Sequence, residues 1–455
     1  MSPKSLIVIG AGPGGYAAAL EAARRGVSVT LVDAQEMGGT CLNRGCIPSK
    51  FLLAQAKPSG ANPSLVRLME QKNAILSTLR QRMEQASRSA SITWVQGTAR
   101  LVSPHQVEVT GLAGPSRHEA DSIILATGST PFRPSLFPAH PAVFDSTSLL
   151  SIDRVPERLI VVGGGYIGCE LACAFNAMGS KVTLIEKEAS LLATQPEFKP
   201  AVPVLKRAFE KRGIAVWTAT EVLSCEARDA RRVRLVCSNK ETIETDAVLL
   251  AIGRSPNSSS LNLEAAGIRV EKGRPVVNEN FQTSCAHIYA IGDLVGRLPL
   301  AHAATHEAEA VVRHLFGEKM STVYDLMPRC IYTFPEAAAV GRTEHQLQSL
   351  GKAVPSETPA EGALRTVRYF FAANARAMVE EDTEGFWAIT VEKETDRILG
   401  GLIVGPQATE LIHLIALAVY AKLTRADIAG MVFAHPTLAE GFREAMARPL
   451  QAAPR

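Results

Sequence analysis

Cys41 and Cys46 are the residues of this chain best suited by type and spacing to carry chemistry. They lie in Gly38-Gly39-Thr40-Cys41-Leu42-Asn43-Arg44-Gly45-Cys46-Ile47-Pro48-Ser49-Lys50. Five positions along a regular helix rise about 7.5 Å, whereas a disulfide wants its Cα atoms within about 7 Å. A bridge therefore needs a distorted turn, and Asn43-Arg44-Gly45 is suitable material for one. The alternative is two unconnected thiols in a loop. A thiol near a helix N-terminus ionises more easily, which suits an exchanging dithiol. The other six cysteines (Cys169, Cys173, Cys225, Cys237, Cys285 and Cys330) stand singly and read as small packing residues. Eight cysteines in 455 residues are no disulfide scaffold, so one closely spaced pair suggests chemistry more than stapling.

The pair follows directly on a unit that must position it. Leu6-Ile7-Val8-Ile9 reads as a strand buried on both faces. It runs into Gly10-Ala11-Gly12-Pro13-Gly14-Gly15, a helical stretch Tyr16 to Arg25, a strand Val27 to Val32, and Asp33. Strand, glycine turn, helix, strand and acid make the dinucleotide fingerprint in its required context. Gly10 permits the tight turn, and Gly12 lets backbone approach a pyrophosphate lying on the helix N-terminus. Gly15 lets helix and strand pack closely, and Asp33 accepts from a ribose hydroxyl.

The unit returns. Leu159 to Val162 leads to Gly163-Gly164-Gly165-Tyr166-Ile167-Gly168, a helix, the strand Lys181 to Ile185, and Glu186. Gly10 to Asp33 and Gly163 to Glu186 both span 23 residues. One such turn alone could be structural, but two in full context with matched spacing imply two dinucleotide sites. Glu186 favours a free ribose 2′-hydroxyl, hence NAD over NADP. Lys187 should turn to the opposite side of its strand.

The bulk composition fits this reading. The chain is 46% apolar and 20% charged, with a net charge of +3 from 48 basic and 45 acidic residues. That balance gives no reason to expect nucleic acid or an anionic membrane as partner, and the length suggests about three domains. The chain opens Met1-Ser2-Pro3-Lys4 without a leader pattern. The apolar stretch around Leu411 to Leu423 is too short to span a bilayer and reads as a buried helix. No metal site is expected, and the expected compartment is cytoplasmic.

Gly38 to Lys50 resembles the redox-disulfide motif of the flavoprotein disulfide reductases, and its Cys-Ile-Pro-Ser-Lys ending most resembles the dihydrolipoamide dehydrogenases among them. Further segments match in family order. These are Ala126-Thr127-Gly128-Ser129, Ala251-Ile252-Gly253-Arg254-Ser255-Pro256-Asn257, Tyr289-Ala290-Ile291-Gly292-Asp293, Leu300-Ala301-His302 and Ala434-His435-Pro436-Thr437-Leu438-Ala439-Glu440.

The resemblance implies an α/β fold with two Rossmann-like domains, for FAD and NAD, and an α+β C-terminal dimerisation domain. It divides the chain into 1–148 for FAD and the redox disulfide, 149–275 for NAD, 276–325 completing the FAD site, and 326–455 at the dimer interface. Cys41 would be the exchange thiol and Cys46 the flavin-facing charge-transfer thiolate. Lys50 would pair with Glu170 beside the flavin. Gly39, Thr40, Thr127, Gly128 and Gly292 would line the FAD site, with Asp293 on the ribityl chain and backbone at Ala99 and Ala301 on adenine and flavin ring. Gly163, Gly165, Gly168, Glu186 and Gly253 would hold NAD, with Tyr166 covering the nicotinamide pocket. His435, oriented by Glu440, would be the acid–base serving the partner subunit's cysteines. A structural alternative stands beside it, since Thr437 to Glu440 reads as a capping box. His302 and His306 read as structural residues near the flavin.

The implied reaction oxidises a dihydrolipoyl group on a carrier protein, passing electrons through a Cys41–Cys46 disulfide and FAD to NAD in a homodimer. Several positions depart from the dihydrolipoamide dehydrogenase pattern. Phe433 and Phe334 replace frequent histidines, Ala172 and Ala308 replace common glycines, and Asp33 replaces a glutamate. Three rival readings are an NADPH-dependent reductase of the glutathione type, a mercuric reductase, and a non-catalytic flavoprotein that binds lipoyl proteins. Glu186 argues against the first, and the lack of a cysteine after Cys330 argues against the second.

Overall fold

The computed structural model describes residues 3–56, 64–320, 322–343 and 364–447. Of the expected terminal domain, 344–363 and 448–455 lie outside the described residues. The buried apolar runs form two parallel five-stranded sheets. In the first, the order is Ile288–Ala290, Ser122–Leu125, Ser5–Ile9, Ser28–Asp33, Thr93–Gln96. In the second, it is Ala215–Trp217, Lys181–Ile185, Arg158–Val162, Ala247–Leu250, Val143–Asp145. Ser5 pairs with Ser28 and Arg158 with Lys181, so the two units share their register as well as their sequence spacing. Strand Val143–Asp145 joins the second sheet from before residue 149, and Ile288–Ala290 returns to close the first.

A third, antiparallel sheet follows in the order Arg329–Ile331, Glu336–Gly341, Ile398–Gly405, Phe386–Glu392, Leu364–Phe370. Trp387 is fully buried beneath it and stacks on Phe442, ring centroids 5.9 Å apart. The helix expected to be buried around Leu411 is Ala408–Tyr420, and only one face of it is buried. Leu411, Ile412 and Ile415 face the sheet, while Leu417 and Tyr420 are exposed. A mixed stripe places those two on the outer side at helical spacing. With Val432, 96% exposed, they leave apolar surface uncovered on the single chain. No described helix is long and apolar enough to cross a membrane.

Behind the cysteine pair runs the long amphipathic helix Leu65–Ser89, capped by Ser64 Oγ accepting from Arg67 N–H. It buries Leu68 and Leu76, and its Lys72 donates to the Leu150 carbonyl at 2.6 Å.

The two glycine turns are sterically equivalent. A Cβ at Gly15 would lie 1.8 Å from the Gly10 carbonyl oxygen, and one at Gly168 would lie 1.8 Å from that of Gly163. Both obstacles are backbone, so neither can swing away. Gly168→Ala is expected to lower stability by about 3 kcal/mol, read as an earlier urea unfolding midpoint. An unchanged midpoint would mean that helix Tyr166–Ala177 can slide off its strand.

Candidate active site

The turn at the cysteine pair is a break between two helices. Helix Gly39–Arg44 ends at Gly45 (φ −145°, ψ −107°), and helix Cys46–Gln55 begins at the next residue. Cys46 therefore sits at a helix N-terminus, where backbone amides favour a thiolate. Both cysteines carry free thiols, so the geometry is that of the reduced pair. The hydrogen bond from Cys41 is the largest influence on Cys46 and, with the Lys50 ammonium, outweighs burial and the Glu170 charge, drawing its pKa down to about 7. The same bond, followed by burial, holds the Cys41 thiol far above its ordinary value. One proton thus stays on Cys41 while the charge resides on Cys46.

Lys50, one turn along the same helix, pairs with Glu170 at 2.6 Å. Glu170 comes from helix Tyr166–Ala177 of the second unit, and its side chain is only 6% exposed. Its other oxygen accepts from the Tyr332 N–H at 3.2 Å, and the Lys50 ammonium lies 4.5 Å from the centre of the Tyr332 ring. Sequence reasoning missed Tyr332, whose contribution is its backbone N–H and the face of its ring. The neighbouring Phe334 packs into the core and lies under the Arg212 guanidinium, while Phe433 packs against the core of the third sheet.

The two dinucleotide turns place their acids alike. Asp33 accepts from Ala11 N–H at 2.7 Å, and Glu186 from Gly164 N–H at 2.6 Å. Gly10 and Gly163 have φ +107° and +108°, the left-handed side that glycine allows. Gly165 has open space where a Cβ would be, and Gly12 meets only the Gly39 Cα, 4.0 Å away. Helices Pro13–Arg24 and Tyr166–Ala177 start at these gaps, so each presents unpaired amides to an anion. The turns fit FAD and NAD pyrophosphates. Tyr166, first residue of its helix, packs edge-on to Phe198, and burial raises its hydroxyl pKa. Lys187 is engaged by Glu221 at 3.5 Å.

The remaining cofactor candidates gather where the two units meet. Thr127 Oγ donates to the Asn257 carbonyl and Asn257 Nδ2 to that of Thr127, joining the two return segments. Gly128 and Gly253 have open space at their Cβ positions. Asp293 accepts from Ser129 Oγ at 2.5 Å, and Ser129 in turn accepts from Arg254 Nε at 2.7 Å. The Gly292 N–H donates to Glu307, which is fully buried and also accepts from the Tyr324 hydroxyl. Ser129, Arg254 and Glu307 were not singled out from sequence, because long-range pairing leaves no local signature. Gly39 crosses tightly over Gly12, beside the exposed Thr40. Ala99 is buried in strand Thr98–Leu101, and Ala301 opens helix Ala301–Leu315. His302 bonds the Pro328 carbonyl.

His435 and Glu440 are paired at 2.9 Å, with the imidazole 71% exposed. Glu440 also accepts from Thr437 N–H at 2.8 Å, and this bond, ahead of the one from His435, lowers its pKa. The expected capping box is only half present. Thr437 Oγ donates to the Ala434 carbonyl, and helix Glu440–Ala447 starts at Glu440 itself. The carboxylate therefore both ends the loop and orients the imidazole. Neither residue is among the main influences on the cysteines of its own chain.

Cys41, but not Cys46, lines a cleft of about 560 Å³ between helices Pro13–Arg24 and Ala301–Leu315. The two thiols thus face different surroundings, Cys41 half-buried against the cleft and Cys46 exposed outside it, with Lys50 acting on both and Glu170 on Cys46. Among the described residues no group of three or more histidine, cysteine or acidic side chains could hold a metal.

Comparison with known proteins agrees with this arrangement. Dihydrolipoyl dehydrogenase, mitochondrial, of Pisum sativum is 36% identical over 97% of this chain and 90% of its own length. Dihydrolipoyl dehydrogenase of Bacillus subtilis is 35% identical over 97% and 98% respectively. The solved structure of the HOCl-induced flavoprotein disulfide reductase RclA from Escherichia coli superposes with a TM-score of 0.87 at 28% identity, covering 97% of this chain and 99% of that one. Residues 327–446 match the dimerisation domain of the pyridine nucleotide-disulphide oxidoreductases, and residues 4–308 match the family's main domain. With both parts present in order, the chain belongs to the pyridine nucleotide-disulphide oxidoreductases.

Proposed function

We propose that this chain is a dihydrolipoyl dehydrogenase, which oxidises dihydrolipoyl groups on a carrier protein and reduces NAD. The observation that carries this reading is the asymmetric dithiol, with Cys41 on an open cleft and Cys46 against Lys50 and Glu170. The proposed division is 1–148, 149–275, 276–325 and 326–455, with strand Val143–Asp145 crossing into the second sheet. The proposed assembly is a homodimer, supported by the dimerisation domain and the exposed Leu417, Tyr420 and Val432. The proposed location is the cytoplasm.

In the oxidised protein Cys41 and Cys46 form the disulfide. His435 of the partner subunit takes a proton from the first lipoyl thiol, and Glu440 holds that imidazole in position. The thiolate attacks Cys41, giving a mixed disulfide and releasing Cys46 as thiolate. The second lipoyl thiol then displaces Cys41, leaving oxidised lipoyl and a reduced pair. Bound FAD supplies the two-electron chemistry that links the reduced pair to NAD. Its site comprises the Gly10–Gly15 turn, Asp33, Gly39, Thr40, Ala99, Thr127, Gly128, Gly292, Asp293 and Ala301. Lys50, fixed by Glu170, holds positive charge beside Cys46. Gly163, Gly165, Gly168, Glu186 and Gly253 hold NAD, and Tyr166 screens its pocket.

Anaerobic mixing of the yellow protein with dihydrolipoamide is expected to give a long-wavelength absorbance band, followed by NADH with NAD far ahead of NADP. Reduction by NADPH and none by dihydrolipoamide would move the chain to a reductase for another disulfide. Glu186→Arg is expected to lower the preference for NAD over NADP by at least an order of magnitude, measured as the ratio of kcat/KM.

The dithiol has its own pH signature. Ultraviolet thiolate absorbance of the reduced pair should be half-developed near pH 7, where Cys46 ionises. Lys50 lowers that pKa, so Lys50→Met should move the midpoint upward and leave less thiolate at neutral pH. A midpoint unmoved by Lys50→Met would remove Lys50 from this role. His435→Gln should lower kcat with dihydrolipoamide by about 10²- to 10⁴-fold.

A further inference from the structure

The segment that follows Glu186 folds back over the second glycine turn. Leu192 N–H donates to the Gly164 carbonyl at 3.0 Å, and a Cβ at Gly164 would meet the Leu191 side chain at 2.6 Å. Leu192 holds φ +54°, a conformation that leucine seldom adopts and that persists only where its surroundings fix it. The short turn Pro196–Phe198 comes next. Phe198 is fully buried and meets the Tyr166 ring edge-on, with centroids 5.8 Å apart and planes at 86°.

That turn is gripped from the third unit. Glu197 meets Arg329 Nε at 3.2 Å, and the two side chains are only 6% and 12% exposed. Among the described residues each forms an ion pair only with the other, and Arg329 Nη1 is buried without a hydrogen-bond partner. So little water reaches the pair that its attraction is weakly screened. Behind burial, Glu197 and Arg329 are the next influences on the Tyr166 hydroxyl, acting in opposite senses, so both charges lie near that ring. Arg329 opens strand Arg329–Ile331, and Tyr332 just beyond it holds Glu170. One edge of the third sheet therefore holds the NAD unit at two buried carboxylates.

We propose that the Glu197–Arg329 pair is a latch for Tyr166, holding Phe198 against its ring and so setting how often the nicotinamide pocket stands uncovered. This rests on the proposed role of Tyr166 as the cover and adds the residues that govern it. Glu197 and Arg329 are positioning residues, since they act through Phe198. A site whose open state is only partly populated binds its ligand more weakly by that fraction. Losing the edge-on contact that favours the covered state should therefore raise NAD affinity about 2- to 10-fold.

The test titrates the oxidised holoenzyme with NAD and follows the flavin absorbance. No lipoyl substrate enters, so failure of the carrier chemistry leaves the test standing. Phe198→Leu keeps the core filled, removes the ring edge and should lower the dissociation constant about 2- to 10-fold. Arg329→Met strands Glu197 in a buried position and should shift the constant in the same direction. Adding Glu197→Gln to Arg329→Met removes the stranded charge and should return the constant toward that of the unaltered protein. In a Tyr166→Ala background neither Phe198→Leu nor Arg329→Met should move it.

A purely structural pair would lower the unfolding midpoint without this dependence on Tyr166. A constant that is unchanged or raised in Phe198→Leu, or lowered equally with and without Tyr166, would overturn the proposal, and Phe198→Leu decides alone where Arg329→Met does not fold. If NADP perturbs the flavin and NAD does not, the NAD assignment fails, and the same ratios are read with NADP.

Discussion

The contact on which the site depends is the pair between Lys50 and Glu170. It joins three parts of the chain, since Lys50 belongs to the first unit, Glu170 to the second, and Tyr332, which donates to Glu170, to the third. Glu170 is almost wholly removed from water, so its charge needs partners. Removing Lys50 would strand that carboxylate, a change that typically costs about 3–5 kcal/mol when the pair is fully buried. Lys50 is 31% exposed, so the penalty here is smaller. Evolutionary economy alone would not place a partly buried ion pair at a three-way junction. The pair fixes a cation near enough to Cys46 to lower its pKa.

Two similar thiols behave differently chiefly because one donates a hydrogen bond to the other, and the Lys50 cation adds to the stability of the Cys46 thiolate. Both lie on short helices either side of Gly45, and both are subject to burial. Cys46 has the helix N-terminus and the ammonium, and it accepts the bond that Cys41 donates. An exchanging pair needs this inequality. The thiolate that leaves must be the stable one, and the thiol that meets substrate must remain capable of bonding to it. Their surroundings differ as well, since Cys41 is half-buried against the cleft and Cys46 is exposed outside it.

Much of this was legible in the sequence, and the reason is locality. The glycine turns, their acids and the cysteine pair each depend on residues within one supersecondary unit, and they appear at the expected registers. The helix break at Gly45 followed from a distance argument about Cα atoms. What was not legible depends on distant pairing. Ser129 and Arg254 come together only because strand Ser129–Pro131 pairs with Arg254–Pro256. Glu307 meets Tyr324 only once helix Ala301–Leu315 has docked. The exposed stripe on Ala408–Tyr420 was not legible from an apolar stretch read as a buried helix, because the angular position of Leu417 and Tyr420 sets their exposure on the single chain.

The same distinction bears on His435. Its bond to Glu440 is local and was readable, as five residues separate them. What the imidazole serves is not local, and within one chain it faces solvent rather than the cysteines. Glu440 holds the Nδ1 side of the exposed imidazole and leaves Nε2 toward solvent, the arrangement an acid–base histidine requires. The apolar surface at Leu417, Tyr420 and Val432 lies on the same unit and is uncovered on the single chain. In the proposed homodimer a second copy covers that surface and His435 serves the partner subunit's dithiol, so the two features have one common resolution. Assembly and acid–base chemistry would then be inseparable, and each chain would supply the dithiol for one site and the base for the other.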